Sequence, residues 1–117
     1  MFREVLEGIR ARVDGALAIS LIGLDGIAIE TLKTPGVPLE AMGAELGGFI
    51  KSIRVSDTEF NTGDVQQVSL VTDRYVAFLS AVTAEYFVLL VLDPNGNYGR
   101  ARFELARAKH VLRDELV

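Results

Sequence analysis

Residues 38–55, PLEAMGAELGGFIKSIRV, carry two patterns at once. Leu39, Met42, Leu46, Phe49 and Ile53 recur at spacings of three and four, which places them on one stripe of an α-helix. Such a stripe faces a core, where each fully buried side chain contributes roughly 1.5–3 kcal/mol before entropy is subtracted. The far side lacks the charge of an ordinary amphipathic helix. It carries Ala41, Ala44, Gly48 and Val55, with Gly43 and Gly47 along its edge. Inside a helix, glycine costs about 1 kcal/mol relative to alanine. That cost is tolerable where another backbone comes close. Gly43/Gly47 and Ala44/Gly48 are small pairs four apart, the steric pattern that lets helices approach. The segment therefore reads as a helix with a core on one side and a partner helix on the other. The plainer alternative is a marginal surface helix that has accumulated glycines.

The rest of the composition leans the same way. The chain has 117 residues, half of them hydrophobic and 24% charged, which suits one globular domain over 1–117. So high an apolar share in so short a chain favours association. A net charge of −4 disfavours nucleic acid and anionic membrane surfaces, both of which call for a basic footprint. Cysteine is absent, which removes disulfides, thiol nucleophiles and thiolate metal sites and fits a reducing cytoplasm. The N-terminal MFREVLEGIRARV mixes charge into its apolar residues and does not read as a signal peptide. The longest mainly apolar run, Tyr86 to Leu92, falls well short of the roughly 20 residues of a membrane-spanning helix, so no insertion is expected.

In chain order, Phe2 to Val13 is a helix with Phe2, Val5, Leu6, Ile9 and Val13 on one face, stopped by Asp14-Gly15. Ala16 to Leu24 is a strand apolar on both faces and hence central. Asp25-Gly26 is a hairpin turn into a second strand, Ile27 to Leu32. Pro35-Gly36 turns the chain toward the Pro38 helix, which is expected to run to about Glu59 with polar last turns. Three strands follow. Val65 to Val71 has one polar side, Gln66, Gln67 and Ser69, and suits a sheet edge open to another chain. Tyr75 to Val82 and Tyr86 to Leu92 are the most apolar segments. A last helix over Tyr98 to Leu116 buries Ala101, Leu105, Ala108, Leu112 and Leu116. The order α-β-β-α-β-β-β-α, with tight hairpins, predicts an α/β (α+β) fold. It has a five-stranded, mainly antiparallel sheet, with the first and last helices on one face and the Pro38 helix on the other.

Catalytic constellations are missing. One histidine, His110, and no cysteine rule out a zinc site and a serine triad. No phosphate-binding G-x-x-x-x-G-K-[ST] loop occurs, and Gly96 and Gly99 read as a simple turn into the last helix. Asp57, Glu59 and Asp64 read as a solvated turn. Arg54, Arg74 and Arg100 each suit a reach across an interface, and nothing singles one out. The expected site is therefore a homodimer interface of Ala41, Gly43, Ala44, Gly47, Gly48, Lys51 and Val55 on the helix, with Gln67 and Ser69 on the polar-sided strand. On that reading Gly47→Leu forces two helices apart.

The hairpin around Gly23-Leu24-Asp25-Gly26, the glycine- and alanine-rich second helix, the three closing strands and the segment Asn95-Gly96-Asn97-Tyr98-Gly99 resemble the roadblock/dynein light chain family. Its small bacterial and archaeal members similar to the gliding-motility regulator MglB look closest, over nearly the whole chain. The resemblance implies a profilin-like fold, dimers joined through their middle helices and third strands, and non-enzymatic partnership with a small Ras-like GTPase. No catalytic residue of the family can be placed on this sequence, so none is carried over, and no cofactor is expected. The alternative function is a structural adaptor in a motor or signalling complex without a GTPase. A small-ligand sensor, its pocket enclosed by the sheet and helices, is a further reading, and an enzyme is the least favoured.

Overall fold

The computed structural model describes residues 1–116, and the side chains of all of these except 57–60. Eight elements follow in the expected order: α1 (Phe2–Arg12), β1 (Ala16–Gly23), β2 (Ala28–Lys33), α2 (Leu39–Phe60), β3 (Gln67–Val71), β4 (Val76–Ala81), β5 (Tyr86–Leu92) and α3 (Tyr98–Leu116). The strands form one antiparallel sheet in the order β2-β1-β5-β4-β3. β1, β5 and β4, apolar on both faces, take the interior positions, and β3 with its polar residues takes an edge.

Alternation along the strands divides the core in two. Ile19, Leu21, Phe78, Val88 and Leu90 point to the side covered by α1 and α3, where Leu6, Ile9, Leu105 and Leu112 meet them. Ala18, Ile22, Leu79, Phe87, Leu89 and Val91 point the other way, to Leu39, Leu46 and Ile50 of α2. The layers are those predicted from the hydrophobic pattern.

Turn chemistry closes the frame. At the β1–β2 hairpin Gly26 has φ +88°, and the Asp25 carboxylate accepts from the Ile27 amide at 3.0 Å. The end of α1 and the β5–α3 loop come together through two glycines. A Cβ on Gly15 would lie 2.6 Å from the Gly96 Cα, and the Asp93 and Asn97 amides donate to Gly15 and Asp14 carbonyls at 2.8 and 3.0 Å. Asn97 then caps α3, its Oδ1 accepting from the Arg100 amide at 3.0 Å. The Asn95–Gly99 segment is thus explained by close packing and capping.

α2 departs from expectation in its rotation. Phe49, expected in the buried stripe, is 51% exposed, while Ile50, left out of that stripe, is fully buried. Met42 and Ile53 are half-buried. The cause is the pair Gly43 and Gly47. A Cβ on Gly43 would lie 3.2 Å from Ile22 Cδ1, and one on Gly47 would lie 3.3 Å from the Leu24 carbonyl oxygen. Lacking side chains, these two let their flank of the helix settle on the sheet. The seam turns with them, drawing Ile50 in and lifting Phe49 out.

Candidate interaction surface

The rotation of α2 decides which residues face outward. Ala41, Ala44, Gly48, Lys51 and Val55 are all exposed on the side away from the sheet, and a Cβ on Gly48 would meet open space. Gly43 and Gly47 are buried against their own sheet and do not belong to this face. They do permit a close approach, but to their own chain: Gly43 to the Ile22 side chain and Gly47 to the Leu24 carbonyl. Gly47→Leu accordingly strikes the Leu24 carbonyl before it reaches any partner.

β3 supplies the second half of the surface. It pairs with β4 on one side, through Gln67 with Ser80, Ser69 with Phe78 and Leu70 with Ala77, and, among the described residues, with no strand on the other. Gln67 and Ser69 are exposed, and because Ser69 stands opposite Phe78 of the α1–α3 core, both side chains lie on that face of the sheet. Val68 and Leu70, opposite Leu79 and Ala77, lie on the α2 face. The nine expected residues are therefore not one patch. Five share the outer side of α2, two flank its base, and two sit behind the sheet at its edge.

The structure adds two apolar residues that sequence reasoning missed as surface. Phe49 of α2 and Leu70 of β3, 51% and 42% exposed, stand on the same side of the sheet, with Val55 at 76%. A period-2 count along β3 would have paired Leu70 with Val68, but nothing local separates Phe49 from a core phenylalanine.

Ionic contacts brace both ends of α2. At its start, Lys33 of β2 lies 3.0 Å from the Glu40 carboxylate, which a backbone amide and then Lys33 hold below its usual pKa. Near its end, Arg54 reaches forward to Asp64 just before β3, with contacts of 2.8 and 3.1 Å, and the guanidinium lies 5.8 Å from the Phe87 ring centre. The Arg54 hydrogen bond lowers the Asp64 pKa against the opposing effect of burial, with further help from the Val65 amide. This fork ties the sheet-facing side of α2 to the segment that leads into β3. Arg54 is thereby engaged within its own chain.

Among the described residues, no group of three or more His, Cys, Asp or Glu could hold a metal ion, and no helix is long and apolar enough to cross a membrane. His110 is exposed on α3. The side chains of Asp57 and Glu59 lie outside the described residues.

An antiparallel sheet flanked by two helices on one face and one on the other, with that lone helix and an edge strand left uncovered, defines a small profilin-like α/β module. No family model matches the sequence, and no curated protein matches it. Solved structures do. MglC from Myxococcus xanthus is 30% identical, with 97% of this chain and 98% of that one covered and a TM-score of 0.69. A Roadblock/LC7 domain from Streptomyces avermitilis aligns over 97% of this chain and 95% of that one, at 20% identity and a TM-score of 0.84. The gliding protein MglB of Thermus thermophilus, at 18% identity, covers 96% of this chain and 85% of its own, with a TM-score of 0.82. The chain belongs to the roadblock/LC7 family, in the neighbourhood of MglB and MglC.

Proposed function

We propose that two copies of the chain join through the outer face of α2 and the free edge of β3, and that the resulting homodimer is a cytoplasmic module regulating a small Ras-like GTPase. The observation carrying this reading is the uncovered side of α2. Ala41, Ala44 and Gly48 form a smooth track there, with Val55 and Phe49 as apolar anchors and Leu70 on the same side of the sheet. Small residues permit close helix contact, and burial of the anchors drives association. β3 of each copy offers its unpaired side for a strand-to-strand junction. Gln67 and Ser69 border that junction from behind the sheet.

The family relationship and the missing catalytic constellation support a role exercised by binding. A dimer presents one surface built from two chains. It alters a GTPase by binding the nucleotide-dependent switch segments of one state more tightly than those of the other. The test mixes purified protein with small Ras-like GTPases of the same organism, each loaded in turn with GDP and a non-hydrolysable GTP analogue. Calorimetry is expected to show nucleotide-dependent binding, and a hydrolysis assay a changed rate. Equal affinity for both states together with an unaltered rate would sink the regulatory reading. Capture of a large scaffold protein in place of the GTPase would favour the adaptor.

A further inference from the structure

The opposite face of the molecule holds a feature that the dimer does not use. α1 and α3 lie side by side and enclose a groove of about 310 Å³. At its floor Glu104 has no solvent exposure. Three guanidiniums surround this one carboxylate: Arg12 at 2.7 Å, Arg100 at 3.2 Å and Arg107 at 3.3 Å. Arg12 and Arg107 both donate to Oε1. Oε2 accepts no hydrogen bond, because Arg100, although close, is not aligned to donate. A buried carboxylate oxygen normally has a donor. The arginines are in the converse position. Each guanidinium carries five donors, and all three side chains are 40–56% exposed. Three positive charges against one negative stand out on a chain of net charge −4. Glu4, at the rim, is 4.0 Å from the N-terminal ammonium.

The walls are apolar. Val5 and Ala108 line the groove, and so does Val111, which is 50% exposed. Gly8 also lines it, inside a helix where glycine is unfavourable. A Cβ there would lie 3.0 Å from the Arg12 guanidinium, so the missing side chain is what lets Arg12 fold across to Glu104.

We propose that the α1–α3 groove docks an acidic amphipathic segment of a partner protein. A carboxylate of that segment is forked by Arg12 and Arg107, whose guanidiniums keep donors free beyond their bonds to Glu104, and an apolar side chain rests on Val5 and Val111. The groove lies across the sheet from α2, so this docking is independent of the GTPase reading.

The test pans a random 12-residue peptide library, displayed on phage, against the full chain. The expected consensus places Asp or Glu within a few positions of Leu, Ile or Phe. A soluble consensus peptide should move the amide resonances of Gly8, Arg12, Ala108 and Val111. Its affinity should fall roughly tenfold or more in Arg107→Glu and in Val111→Asp, and should weaken with salt. Both positions are exposed on α3, and unchanged circular dichroism shows that each variant is folded. Enrichment of neutral or basic peptides would overturn the proposal. So would resonance changes confined to α2 and β3, or binding to phosphatidylserine vesicles without any peptide consensus.

Discussion

Glu104 shows most clearly how single residues are constrained in this fold. Burial raises its pKa, but Arg12, Arg107 and Arg100 outweigh that effect and hold the carboxyl below its ordinary range. A lowered folded-state pKa stabilises the fold above the unfolded value, about 4.3 for glutamate. That contribution is lost as pH falls through the folded value. Glu104→Gln should therefore lower stability by about 2 kcal/mol at pH 7, the scale of a hydrogen bond to a charged group. The gap from wild type should narrow as pH falls below the unfolded value and close as pH passes through the lower folded one. Urea titrations at pH 7 and pH 3.5 check this, and an undiminished gap at the lower pH would contradict it. The sequence concealed this residue. Ala101, Leu105, Ala108 and Leu112 announced the buried stripe, but a glutamate four places after Arg100 looks like a surface pair. Its burial depends on Arg12, 92 positions away in α1, and no local pattern records such a partner.

For whole elements, α2 separates two kinds of glycine that are adjacent in sequence. Gly47→Leu drives a side chain at the Leu24 carbonyl, and overpacking of this kind costs about 1–3 kcal/mol. A lower midpoint in thermal unfolding is expected, and an unchanged midpoint would show that α2 sits further from the sheet. Gly48→Leu meets open space within the chain and removes a helix glycine. It should leave the protein folded while breaking self-association, and light scattering reads that as a halved mass. A mass unaltered by Gly48→Leu would place the interface elsewhere. The helix, its length and its two-sided character were legible from residue spacing alone. Its rotation was not, because Gly43/Gly47 and Ala44/Gly48 present the same small-residue spacing, and only the position of the sheet decides which pair turns inward. β3 followed the same course: its edge position was visible in Gln66, Gln67 and Ser69, but the face to which each side chain turns was fixed by pairing with β4.

Over the whole molecule, two surfaces of different character lie on opposite faces of the sheet. One joins the outer side of α2 to the free edge of β3 and is smooth and apolar. The other, across the sheet between α1 and α3, is cationic with apolar walls. The element order, the layers and the likeness to roadblock proteins could be read early, because local hydrophobic periods and turn residues determine them. The second region could not, since it exists only once two helices from opposite ends of the chain lie together. The claim on which the regulatory reading depends is that a second copy covers α2. Its most direct test is the solution mass of the purified protein by light scattering at micromolar concentration, beside a Val55→Asp variant. Wild type should have twice the 12.7 kDa of one chain and Val55→Asp the mass of one. A wild-type mass of a single chain, or a Val55→Asp variant that stays paired, would contradict it.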